Sequence, residues 1–132
     1  MSEDEGDELE FSIIIGCTRA QALDEGLLVD VSSTAKELGI KAPTALTRAV
    51  WDRYVLLSPA AEKACNDERG RLWDILWMFR NAAIRNPDSS EVIFELYVVT
   101  ESIEPSLVKL KAVCGPGDDA ELVFTIMLPE ED

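Results

Sequence analysis

The side chains available for chemistry in this chain are narrow in kind, because its 132 residues include no histidine. That removes the commonest general base and metal ligand. A Cys–His or Ser–His nucleophilic pair cannot be built within one chain. The three cysteines, Cys17, Cys65 and Cys114, lack the paired spacing of a zinc site. They read as reduced thiols. No GxxxxGK[ST], GxGxxG or GxSxG pattern occurs. Asp24 and Asp30 flank Gly26 and offer oxygens to a divalent cation, but read more simply as a helix-end acid and a turn acid. Asp118 and Asp119 read as turn chemistry. Cys17 stands before a helix start, where a dipole lowers a thiol pKa, yet a small buried hydrophobe ending a strand is the simpler reading. No catalytic residue, cofactor site or metal site is assigned, and the chain is expected not to be an enzyme.

The candidate interaction residues are Arg19, Asp30, Trp73, Trp77 and Arg80. Trp73 and Trp77 are four apart and share one helix face. That face borders the Leu72/Leu76 stripe, so packing in or at the edge of the core is expected. A Trp77 exposed near Arg80 would instead join two residue types enriched at binding hot spots.

These side chains need a scaffold, and the composition supports one. Hydrophobic residues make up 47%, enough for a core, and 132 residues fit a single domain. Residues 11–129 are read as that domain, between acidic tails at 1–10 and 130–132. The fold class is α+β: short N-terminal strands and helices, central helices, and a C-terminal three-stranded antiparallel meander packed on the helices.

Phe11-Ser12-Ile13-Ile14-Ile15-Gly16-Cys17 reads as a buried extended segment. Thr18 and Gln21 have capping-box spacing, opening a short helix that Gly26 ends. Residues 27–31 are a second extended piece. Ser32-Ser33-Thr34 opens a further short helix, with capping-box spacing again between Thr34 and Glu37, and Gly39 stops it. Pro43 fits the first position of a helix reaching about Leu57, with Leu46, Val50, Tyr54 and Leu57 on its apolar face. Ser58-Pro59 restarts helix, and a longer one spans about 67–86, with Leu72, Ile75, Leu76, Phe79 and Ala83 buried. Beyond Pro87 the period becomes two. Val92, Phe94, Leu96 and Val98 form one alternating set; Val108, Leu110, Ala112 and Cys114 the next; Leu122, Phe124, Ile126 and Leu128 the third. Pairing Phe94 with Ala112 would set Glu95 opposite Lys111 and Tyr97 opposite Lys109.

The net charge of −14, from 26 acids and 12 bases, bounds the partners. Nucleic acid and anionic membrane are bound through Lys and Arg, so neither is an expected direct partner; a basic protein surface is. The acidity is uneven. Residues 1–10 hold six acids and 130–132 three more, leaving 17 acids against 12 bases over 11–129. Residues 48–85 carry seven bases and five acids, a mildly basic stretch onto which an acidic tail could fold; solvated tails are the simpler reading. The acidic start is unlike a signal peptide and no apolar run is long enough to span a bilayer, so the expected compartment is the cytoplasm.

Thr18-Arg19-Ala20-Gln21-Ala22, Gly26, Leu28-Val29-Asp30-Val31, Ala35, Glu37, Gly39 and Pro43 with Leu46-Thr47-Arg48-Ala49-Val50-Trp51 resemble a family of small uncharacterised bacterial proteins carried on plasmids and other mobile elements. The resemblance implies a mobile-element setting and brings no catalytic residues. Together with the charge, it leads to the expectation of a non-enzymatic acidic protein that binds a basic protein surface, in its sharpest form a DNA mimic or an antagonist of a DNA-binding or host-defence protein. The alternatives are a structural or regulatory homo-oligomer, with the tryptophans and the basic stretch at its interface, and a histidine-free enzyme. Arg19 and Asp30 are the polar residues of the motif that stand out as candidates; in a purely structural role they would pair and tie the first helix to the following strand.

Overall fold

The computed structural model describes residues 18–63, 67–100 and 102–131. The acidic tail at 1–10, the extended segment at 11–17, Cys17 and Cys65 lie outside them.

The first helix, α1 (Arg19–Asp24), forms where its capping signal places it. Thr18 Oγ accepts from the Gln21 amide and Gln21 Oε1 from the Thr18 amide, both at 3.0 Å. Gly26 ends the turn at φ +80°, open to glycine at little steric cost. Strand β1 (Leu28–Asp30) follows, then α2 (Ser32–Glu37). The capping box expected at Thr34 and Glu37 does not form, because α2 begins two residues earlier. Asp30 Oδ1 takes the Ser32 amide at 3.1 Å and makes Thr34 an interior residue.

The expected helix from Pro43 to Leu57 is the main correction. Thr44–Thr47 is instead a strand, β2, inserted between β1 and β5 (Leu122–Met127). Pro43 is not a helix start: its carbonyl accepts from the Phe124 amide at 2.9 Å, beside the parallel β2–β5 ladder. A central strand buried on both faces loses the alternation that marks a strand, and Thr44, Ala45 and Leu46 are all buried. Helix begins only at Thr47, which caps α3 (Arg48–Val50). It widens at once into a π-helical turn, Trp51–Val55, with the Leu56 amide donating to the Trp51 carbonyl at 2.9 Å.

The remaining elements are α4 (Pro59–Lys63), α5 (Glu68–Arg85), β3 (Glu91–Val98) and β4 (Ser106–Pro116). Ser58 Oγ caps α4 and Asp67 Oδ1 caps α5, as the local sequence requires. The meander forms, and β1 and β2 extend it to a five-stranded mixed sheet in the order β1-β2-β5-β4-β3. Its register differs from expectation by two residues: Phe94 faces Leu110, Glu95 faces Lys109, and Ile93 faces Lys111. A two-residue slip keeps every side chain on its face, so alternation alone could not separate the two registers.

Helix α5 covers one face of the sheet. Leu72, Ile75, Leu76, Phe79 and Ala82 pack with Val92, Phe94, Leu96, Leu110 and Ile126. Phe79 is central, 5.1 Å edge-on to Phe124 and 6.2 Å from Phe94. On the other face, α1 lies near β1 and β5. The chain end is not simply a solvated tail there: Glu131 Oε1 accepts from Thr47 Oγ1 and the Leu128 amide, each at 2.8 Å, and its carbonyl accepts from Lys111 Nζ at 2.5 Å.

Candidate functional site

Arg19 and Asp30, the polar pair singled out in the sequence, do not meet as an ion pair. The Arg19 guanidinium crosses to β5, donating from Nη1 to Thr125 Oγ1 at 2.8 Å and from Nη2 to the Phe124 carbonyl at 3.0 Å. Asp30 instead holds the Ser32 hydroxyl at 2.6 Å. Asp118 from the β4–β5 turn caps α1: its two oxygens accept from the Arg19 and Ala20 backbone amides, each at 2.9 Å. Those amides are free at a helix start, and a carboxylate there also meets the positive end of the helix dipole. Burial lowers the Arg19 pKa, opposed by the charges of Asp30, Asp118 and Glu121. The cluster is a clamp holding α1 against the β4–β5 hairpin, and its donors and acceptors are used internally.

Trp73 and Trp77 are not core residues. They are 37% and 44% exposed and stack with ring centroids 6.5 Å apart. The Arg80 guanidinium lies 5.4 Å from the Trp77 centroid, a cation–π contact that brings three of the candidate residues together. Of the three, Trp77 lines a groove of about 500 Å³ between α5 and β3, together with Asp74, Met78, Glu95, Leu96 and Tyr97, and Leu107 of β4. Ile93 and Tyr97 of β3 are also exposed. Asp74, Glu91 and Glu95 form no ion pair among the described residues, whose two ion pairs are Arg48–Asp52 and Arg69–Glu37.

Burial raises the Asp74 pKa. A carboxyl whose folded pKa lies above its unfolded one favours folding when protonated, and loses that contribution as pH rises through the folded pKa. Asp74→Asn is therefore expected to raise the melting temperature at pH 7, with a gain that shrinks toward pH 4; melts at the two pH values check it.

Sequence reasoning missed Arg71. It was counted in a mildly basic stretch, but it is 6% exposed, on the buried side of α5. Its Nε donates to the Tyr54 carbonyl at 2.6 Å, while Nη1 is buried without a hydrogen-bond partner. Burial lowers its pKa. The available signal was its spacing, four residues before Ile75. Beside the π-helical turn, Asp52, Arg53, Tyr54, Leu57, Ser58 and Thr100 help to line a second concavity of about 660 Å³. Among the described residues no nucleophile–base pair is assembled there: the Ser58 hydroxyl donates to the Thr100 carbonyl.

Among the described residues, no group of three or more His, Cys, Asp or Glu could hold a metal ion, and no helix is long and apolar enough to cross a membrane. Cys114 is a half-buried free thiol. No curated protein and no solved structure matches the chain. A family model does match it, over residues 9–132, so the whole α+β unit described above lies within the match. The chain belongs to a family of unknown function (DUF6573).

Proposed function

We propose that this is a non-enzymatic acidic binding protein that engages a basic protein surface. The observation carrying the reading is the β3 edge with the groove beside it: Asp74, Trp77, Glu95 and Tyr97 contribute to the groove, Glu91 is exposed further along β3, and none of the three carboxylates makes an ion pair among the described residues. Aromatic rings beside exposed carboxylates suit Lys and Arg side chains, whose stems pack on rings while their charges meet the acids. The arrangement favours a protein partner over phosphate mimicry. Glu91 and Glu95 are four residues apart on a strand, about 13 Å, whereas DNA phosphates recur about every 3.4 Å along each strand's axis. The setting proposed is cytoplasmic, in mobile-element biology, with a basic host protein as target.

The test is capture from a bacterial lysate on the immobilised full chain at low and high salt, beside the variant Asp74→Asn/Glu91→Gln/Glu95→Gln. Basic proteins are expected to be retained at low salt, lost at high salt, and reduced by about tenfold or more on the variant. Capture of no basic protein, or capture insensitive to salt, overturns the reading.

A homo-oligomer remains the second reading, favoured by the exposed Trp73–Trp77 stack. A mass that stays monomeric across concentrations in light scattering removes it.

A further inference from the structure

Among the described residues strand β3 is an edge of the sheet, and the parity of its hydrogen bonds decides what that edge offers. The Cys114 amide donates to the Ser90 carbonyl at 2.8 Å, in line with the β3–β4 register that pairs Val92 with Ala112. The even-numbered residues of β3 therefore spend their amides and carbonyls on β4. Glu91, Ile93, Glu95 and Tyr97 point theirs away from β4, where no strand pairs with them among the described residues. The side chains follow the same parity. Val92, Phe94, Leu96 and Val98 are buried under α5, while Glu91, Ile93, Glu95 and Tyr97 are exposed on the opposite face.

Edge strands are commonly blunted by lysine, proline or a bulge. β3 contains neither lysine nor proline, and it runs eight residues in unbroken register with β4. Its charged residues are two glutamates, alternating with two exposed apolar residues.

We propose that β3 receives an extended segment of a basic partner protein as a sixth, antiparallel strand. This rests on the basic-partner reading above and specifies how that partner is held. The residues of the added strand that face Glu95 and Glu91 are Lys or Arg. Those that face Tyr97 and Ile93 are apolar. From the partner's N-terminus the order is apolar, any, basic, any, apolar, any, basic. The intervening side chains point to the α5 side, beside Trp77 and Met78. Backbone pairing supplies affinity and the alternating side chains supply selection.

A second copy of this chain is the poorer occupant. A two-fold β3–β3 pair centred on Glu95 puts Glu95 opposite itself, and one centred on Ile93 puts Glu91 opposite Glu95. One centred on Phe94 sets Glu95 opposite Ile93 and Glu91 opposite Tyr97, and brings no cation to either glutamate. Each also brings together two chains of formal charge −14.

The test uses the full chain and an eight-residue peptide, Val-Thr-Lys-Thr-Val-Thr-Lys-Thr with blocked ends, followed by amide hydrogen exchange and by titration at low salt. In the free chain the amides of Ile93, Glu95 and Tyr97 are expected to exchange fast and those of Phe94 and Leu96 slowly; peptide slows the first set by about tenfold or more. N-methylation of the peptide at its Lys and Val amides is expected to weaken binding by about tenfold or more, and at its Thr amides to have little effect. Glu91→Lys/Glu95→Lys is expected to lose this peptide and to gain the one with Glu in place of Lys.

Binding that ignores the position of N-methylation, with edge amides unprotected, overturns strand addition and leaves the basic-partner reading standing. Binding of the Glu peptide to the unmodified chain as tightly as the Lys peptide overturns the basic-partner reading, and with it the occupant proposed here. Edge amides already protected in the free chain show β3 occupied by a second copy or by another segment of this chain, and overturn the proposal. No binding of the Lys peptide at low salt overturns it as well, while lysate capture separately decides the fate of the broader reading.

Discussion

Replacing Phe79 with alanine is expected to lower the unfolding free energy by about 3–5 kcal/mol, the usual cost of truncating a fully packed aromatic. Phe79 is 2% exposed. It is the contact through which α5 meets two strands that are not neighbours in the sheet, edge-on to Phe124 of β5 and tilted against Phe94 of β3. Aromatic pairs of this geometry contribute about 0.5–1.5 kcal/mol beyond their buried area, so the loss should fall in the upper part of the range. Chemical denaturation with fluorescence detection measures it. The same variant should loosen the α5–β3 groove and reduce the stacking signal of Trp73 and Trp77 in near-ultraviolet circular dichroism. Phe79→Leu, which keeps most of the volume, should recover more than half of the stability.

Arg19→Ala is expected to cost about 3 kcal/mol, because hydrogen bonds from a charged donor contribute about 1.5–3 kcal/mol each and two are lost, to Thr125 Oγ1 and the Phe124 carbonyl. Both acceptors are left part-buried, and the negative charges of Asp30, Asp118 and Glu121 lose the cation that faces them. Arg19→Lys keeps the charge without the planar fork and should recover less than half of the loss. Asp118→Ala removes the carboxylate that accepts the Arg19 and Ala20 amides and should cost about 1 kcal/mol, the usual value of a cap. Equilibrium unfolding of the three variants separates the contributions. A double variant that loses less than the sum of the singles is expected, since both residues fasten the same helix.

Much of the local structure was legible in the residues. The Thr18–Gln21 box, the cap at Ser58, the glycines at 26 and 39 and the alternation of the last three strands depend on partners within a few positions, so their spacing specifies them. The α+β class follows from the change of period after Pro87. The family motif around Thr18–Trp51 is likewise explained locally in part: Thr18, Gln21 and Gly26 set the ends of α1, and Arg48 Nε donates to the Gly26 carbonyl at 2.8 Å.

What the residues left open depends on partners far away in the chain. Thr44–Thr47 carries a helix-like apolar spacing and became a strand because β5, some eighty residues on, offers it a parallel ladder. The register of β3 against β4 was ambiguous because a shift of two preserves both faces. Arg19 was expected to meet Asp30 and instead reached β5, with Asp118, 99 positions away, on its backbone. Trp73 and Trp77 border a buried stripe in a helical projection, but they stay 37% and 44% exposed, stacked on each other at the side of the core. Which short segments are helical, capped or alternating is settled between near neighbours, by local hydrogen bonds and sterics, and so is written in the residues. Which described strand lies inside the sheet, which lies at its edge, and which charges stay unpaired follow from long-range pairing that no local spacing encodes.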